Sequence, residues 1–174
     1  GIGTITGFDP EPFPTRIAAE VKGFDPLAFM ERKEAKRTDR FVQLATAAAI
    51  QALDHAAFSI DDNGPDVGCI VGSGIGGIGT LSQQVTTLNE RGPSRVSPFL
   101  VPMMIADMAS GHLSIRLGAK GPNYCTTSAC SSGADAIGVS ADLIRRGDAI
   151  AMVTGGAEAC VVPIGLAGFS SAGA

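Results

Sequence analysis

Residues 67–71, Val-Gly-Cys-Ile-Val, form a nearly unbroken apolar run between the turn-forming cluster Asp61-Asp62-Asn63-Gly64-Pro65 and the glycine-rich Gly72-Ser73-Gly74-Ile75-Gly76-Gly77. A strand with no polar face must be covered on both sides, as in the middle of a parallel sheet flanked by helices. The flanking sequence supplies those helices. Over 39–57, Phe41, Leu44, Ala45, Ala48, Ala49, Ala52 and Leu53 recur at three- and four-residue steps, an amphipathic helical pattern. The glycine-rich run opens a helix reaching about residue 89, and Gly92-Pro93 and Ser97-Pro98 then break the chain. A second helix is expected over 102–117, an extended stretch over 123–127, a third helix over 130–146 and a buried strand over 149–154. Strands alternating with helices define an α/β class with a mainly parallel sheet.

The N-terminal 24 residues read differently, as an irregular segment lying over the domain, with short β-like runs at 2–8 and 16–21. Asp25-Pro26 then offers an N-cap and a first-turn proline for a short helix to about residue 31. A basic stretch follows, with Arg32, Lys33, Lys36, Arg37 and Arg40. The 174 residues are 45% hydrophobic, which excludes a disordered chain and suits one domain, or one part of one, spanning 1–174. A net charge of −4 gives no basis for broad nucleic-acid binding. No signal segment and no bilayer-spanning apolar run are present, so the expectation is a soluble, cytoplasmic protein. Twenty-three glycines beside one Tyr and no Trp imply a core built on close backbone approach.

The four cysteines, at 69, 125, 130 and 160, show no CxxC spacing, and there are only two histidines. Neither a metal site nor a redox dithiol is expected from that spacing, and no cofactor is called for. One cysteine nevertheless stands apart. In Asn123-Tyr124-Cys125-Thr126-Thr127-Ser128-Ala129-Cys130-Ser131-Ser132-Gly133-Ala134 a strand enters a tight turn of small residues, with Cys130 where a helix begins. Such a turn exposes a nucleophile, and the unpaired N–H groups of a helix start favour a thiolate and can hold an oxyanion. Cys69 falls within an apolar strand, Cys125 precedes the elbow, and Cys160 follows Gly155-Gly156 with no basic neighbour; all three read as packing residues.

Thr127-Ser128-Ala129-Cys130-Ser131-Ser132-Gly133, with Gly155-Gly156-Ala157-Glu158 after the next strand, resembles the active-site cysteine region of elongating β-ketoacyl-acyl-carrier-protein synthases. Arg32-Lys33-Glu34, Gly72 to Gly77, Ser97-Pro98-Phe99, Gly111-His112-Leu113 and Gly168-Phe169 follow in family order, so the resemblance runs through nearly the whole chain. It implies the N-terminal half of a thiolase-like layered fold, usually a homodimer. It also implies that Cys130 accepts an acyl group from the phosphopantetheine arm of acyl carrier protein. A carbanion from malonyl-carrier would then attack the thioester after losing carbon dioxide, lengthening the chain by two carbons, with the Cys130 N–H as one oxyanion donor. By the same carry-over Ile75, Leu100, Ala129, Gly165 and Phe169 shape the acyl pocket, with Leu100 replacing a common aromatic. Lys33, Lys36, Arg37 and Arg95 would meet the acidic carrier, a solvated helix face being the alternative.

The family's two catalytic histidines and lysine come from a second half whose motifs do not occur here. The expectation is therefore a partial chain unable to condense alone. Gly72-x-Gly74-x-x-Gly77 also fits a dinucleotide fingerprint formally, but the acidic residue that should follow on a second strand is missing, Pro93 and Pro98 lying there instead. His112 reads as a buried structural histidine and His55 as a surface one. A polyketide ketosynthase, an initiating ketosynthase or a coenzyme A thiolase shares the cysteine elbow. A chain-length-factor-like subunit lacks it, and a merely dimerising fragment would not need it.

Overall fold

A computed structural model describes residues 1–61 and 63–173; Asp62, within the turn cluster expected at 61–65, lies outside them. Two two-residue strands, β1 (Gly3–Thr4) and β2 (Ile17–Ala18), pair antiparallel at the N-terminus. The expected short helix is a 3-10 turn, Pro26–Ala28, in which the Asp25 carboxylate accepts the Leu27 N–H at 2.9 Å. The basic stretch contains one helical turn, α1 (Arg32–Ala35), closed by a Glu31/Glu34 capping box. The amphipathic pattern becomes α2 (Arg40–Ala56), begun by Asp39, whose Oδ1 accepts the Phe41 N–H.

Strand β3 (Val67–Gly72) is buried along its whole length. It lies at the centre of a parallel sheet, between β4 (Asn123–Tyr124) and β5 (Ala151–Gly156). Alternation along β3 divides the core. Val67, Cys69 and Val71 join Phe41, Val42, Ala45 and Ala49 of α2 and Ala109 and Leu113 of α5 (Met108–Leu117). Ile70 points the other way, to Ala136 and Leu143 of α6 (Ser132–Arg146). Both faces are thus covered, as the polar-free strand requires.

Helix α3 (Ile78–Arg91) follows the glycine-rich turn. It is tied to the start of α2 by Asp39, a buried carboxylate that accepts the Thr80 hydroxyl at 2.6 Å and the Thr80 N–H at 3.3 Å. The helix expected over 102–117 is two helices, α4 (Leu100–Met104) and α5. The break comes from a contact with the glycine-rich turn: the Met104 carbonyl, needed to continue the helix, accepts the Gly77 N–H at 3.0 Å, and Ile105 turns to extended backbone. A final helix, α7 (Pro163–Ala172), begins at a first-turn proline and was not anticipated, because Gly165 and Gly168 weaken its helical pattern. None of the described helices is long and apolar enough to cross a membrane.

Candidate active site

The carboxyl ends of β3 and β5 and the start of α6 meet in a seam of glycines. A Cβ on Gly72 would lie 2.1 Å from the Ser132 carbonyl oxygen, and one on Gly156 would lie 2.8 Å from the Gly133 Cα. These positions exclude any side chain, so α6 starts directly on the strand ends. The loop entering α6 therefore stands above the sheet edge where parallel α/β proteins carry their sites.

Cys130 lies in that loop, two residues before α6 and not at its first residue as the pattern of the sequence suggests. Its neighbour Ala129 has φ of 53°, the left-handed region that a residue with a Cβ rarely enters. The strain is held by the hydroxyls around it. Ser132 Oγ donates to the Ala129 carbonyl at 2.6 Å and accepts the Ser128 N–H at 3.0 Å. Ser131 Oγ donates to the Ser128 carbonyl at 2.8 Å, Ser128 Oγ donates to Asp135, and Thr126 Oγ1 donates to the Ser132 carbonyl at 2.8 Å. The small polar residues flanking the cysteine are thus occupied in fixing the turn. The Ser131 and Ser132 N–H groups are taken by the carbonyls of Ser128 and Ala129, whereas no acceptor among the described residues faces the N–H of Cys130. The thiol itself is exposed.

A cleft of about 560 Å³ opens beside the thiol. Ile75, Ala129 and Phe169, three of the five predicted pocket residues, line it with Cys130. Leu100 and Gly165 do not. Leu100 is half-buried at the start of α4, and Gly165 is a close-approach glycine, its missing Cβ leaving room for the Cys160 carbonyl oxygen 2.2 Å away. The predicted carrier-docking residues Lys33, Lys36, Arg37 and Arg95 are all exposed. The Arg37 guanidinium lies 4.5 Å above the Phe99 ring, which brings the basic stretch to the segment that carries Arg95.

Two residues of the cleft received no functional role from the sequence, Glu158 being only part of the Gly155-Gly156-Ala157-Glu158 motif and Cys160 a packing residue. Glu158 reaches across from the end of β5, and its Oε2 accepts the N–H groups of Gly74 at 2.7 Å and Ile75 at 3.2 Å, while Oε1 accepts the Ser73 hydroxyl at 3.2 Å. The glycine-rich turn thus spends its N–H groups on a carboxylate of the same chain and on the Met104 carbonyl, so it is no phosphate cradle. A glycine turn facing an acidic residue just past a neighbouring strand was the available signal. Cys160 is the second; half-buried in the same cleft, its thiol is pushed up by burial and then by the Glu158 charge. Burial alone raises Cys69, within β3, to about 11. His112 lies outside the cleft, with Nε2 2.9 Å from Glu34 Oε1 in a contact short of hydrogen-bond alignment.

Comparison with known proteins agrees with this geometry. A family described as "Beta-ketoacyl synthase, N-terminal domain" matches residues 6–174. The 3-oxoacyl-[acyl-carrier-protein] synthase 2 of Synechocystis sp. is 50% identical over 173 residues, 99% of this chain and 42% of that protein. That of Staphylococcus aureus is 48% identical over 172 residues, 98% of this chain and 42% of that protein. Among solved structures, the ishigamide ketosynthase/chain length factor superposes with a TM-score of 0.88 at 28% identity, covering 99% of this chain and 43% of that one. A β-ketoacyl synthase from Burkholderia phymatum superposes with a TM-score of 0.80 at 29% identity, covering 92% and 40%. The fold is therefore the thiolase-like fold of ketosynthases. The chain belongs to the β-ketoacyl synthase family, matching its N-terminal domain, and spans less than half the length of the curated relatives it matches.

Proposed function

We propose that this chain supplies the acyl-accepting half of a 3-oxoacyl-acyl-carrier-protein synthase, with residues 1–174 forming part of its N-terminal ketosynthase domain and Cys130 as the nucleophile. The observation that carries this reading is an exposed thiol on a strained turn, with no acceptor for its own N–H among the described residues, beside a cleft to which Ile75, Ala129 and Phe169 give an apolar wall. Cys130 Sγ attacks the carbonyl carbon of an acyl-carrier thioester, the Cys130 N–H holds the oxyanion, and collapse expels the phosphopantetheine thiol. Ile75 and Phe169 flank the start of the acyl chain. The malonyl-derived carbanion then attacks the Cys130 thioester, extending the chain by two carbons and releasing Cys130.

Lys33, Lys36, Arg37 and Arg95 give the acidic carrier a complementary surface, and the working assembly is a cytoplasmic homodimer. The 50% identity to a 3-oxoacyl-[acyl-carrier-protein] synthase 2, against 28% to the ishigamide ketosynthase/chain length factor, favours fatty-acid elongation over polyketide extension. No Lys, Arg or His side chain lines the cleft among the described residues, so the 174-residue chain is predicted to load an acyl group without condensing it. The test is incubation with acyl-acyl-carrier-protein followed by peptide mass mapping. An acyl adduct on Cys130, lost in Cys130→Ala, supports the reading; acylation elsewhere, or none, overturns it.

A further inference from the structure

The sequence spacing gives no dithiol, yet the fold brings two cysteines to one cleft. Cys130 and Cys160, thirty residues apart in sequence, line the same cleft from different elements, the elbow before α6 and the segment between β5 and α7. Glu158 is bound by the Gly74 and Ile75 N–H groups, and a Cβ on Gly74 would sit 3.4 Å from the Ala129 carbonyl oxygen and 3.6 Å from its Cα. One glycine turn therefore fixes the chain beside Cys130 and the chain two residues before Cys160. The Cys160 main chain is held on its far side by the close approach of Gly165.

We propose that Cys130 and Cys160 are a peroxide-responsive pair, in which Cys130 is oxidised first and Cys160 captures it as a reversible disulfide. The exposed thiol meets the oxidant, and the half-buried one resolves it. In the first step the Cys130 sulfur attacks hydrogen peroxide, the O–O bond breaks, and Cys130 sulfenic acid and water form. In the second the Cys160 sulfur attacks the sulfenic sulfur, the S–O bond breaks, and the hydroxyl leaves as water with the Cys160 proton. The two thiols together lose two electrons, and one peroxide is reduced to two waters. Burial and the nearby negative charge raise Cys160, which makes it a poorer primary target than the exposed Cys130. The disulfide shields Cys130 from irreversible sulfinic and sulfonic oxidation. That it also suspends acyl loading rests on the function proposed above; its formation does not.

The test treats the full chain with hydrogen peroxide, with and without dimedone, and maps the peptides. The wild type is expected to give a Cys130–Cys160 disulfide that dithiothreitol reverses, with little dimedone adduct. Cys160→Ala and Cys160→Ser are both expected to give several-fold more dimedone adduct and sulfinic acid at Cys130, and circular dichroism identifies either variant if it fails to fold. Equal Cys130 sulfinic acid in the wild type and the folded variants, or a disulfide to Cys125, overturns the proposal. Acyl loading of untreated wild type, measured separately, reports on the proposed function alone: a disulfide without acyl loading sinks that function and leaves the redox pair standing.

Discussion

The middle of the sheet and its carboxyl end belong to the same strands and treat a cysteine in opposite ways. In the middle, Cys69 is enclosed by Val67, Val71, Phe41 and Leu113, and burial alone makes its thiol hard to ionise. At the end, Gly72, Gly133 and Gly156 remove side chains altogether, α6 settles onto the strand tips, and the chain entering it is forced into a turn that leaves Cys130 exposed. Filling a space with side chains makes a thiol structural. Emptying one makes it available.

Substitutions in the two regions should separate stability from reactivity. Phe41→Ala opens a cavity under β3 and is expected to cost about 3–5 kcal/mol in urea unfolding; if the variant folds, the preference for alkylating Cys130 persists. Gly72→Ala adds a Cβ against a backbone carbonyl that cannot move aside as a side chain would. It should cost about 1–3 kcal/mol and, unlike Phe41→Ala, slow Cys130 alkylation by shifting the elbow. Equal alkylation in Gly72→Ala and wild type would break the link between seam and elbow. Thr80→Val leaves buried Asp39 short of the Thr80 hydroxyl, a loss of about 1–3 kcal/mol with no change at Cys130.

Much of the sheet's middle was legible in the sequence, because a run such as Val-Gly-Cys-Ile-Val has only one environment that suits it, and the 3.6-residue pattern of α2 is carried by side chains that reach the core. The elbow was legible from its small residues and its place before a helix. What was not legible depends on contacts between distant segments. The break at 105–107 comes from Gly77 claiming the Met104 carbonyl, and the carboxylate seated in the glycine turn comes from Glu158, eighty-four residues beyond Gly74. Cys160 gave no signal by spacing, since its partner across the cleft is set by how two loops meet. Leu100 and Gly165 were carried over as pocket residues and lie outside the cleft that the chain forms around Cys130.

A smaller effect concerns acid. Burial and the Arg116 charge hold His112 below its ordinary 6.5, against the opposing pull of Glu34. Partial burial pushes Glu34 up, but the Arg116 hydrogen bond and charge, with His112, leave it below its ordinary 4.5. Both folded values are depressed, so each contributes stability above its ordinary value that is lost as pH falls through the folded one. The urea midpoint should therefore decline from about pH 6.5 downward and again below about 4.5. His112→Gln should remove the first decline and keep the second. A flat profile in the wild type would show that this cluster contributes nothing.

The most direct measurement is a competition among the four thiols of the native protein for limiting iodoacetamide, read by peptide mapping. The elbow predicts Cys130 labelled first, Cys125 and Cys160 more slowly, and Cys69 only on unfolding. Labelling of Cys130 no faster than Cys125 and Cys160 would contradict the claim that the turn before α6 sets this cysteine apart.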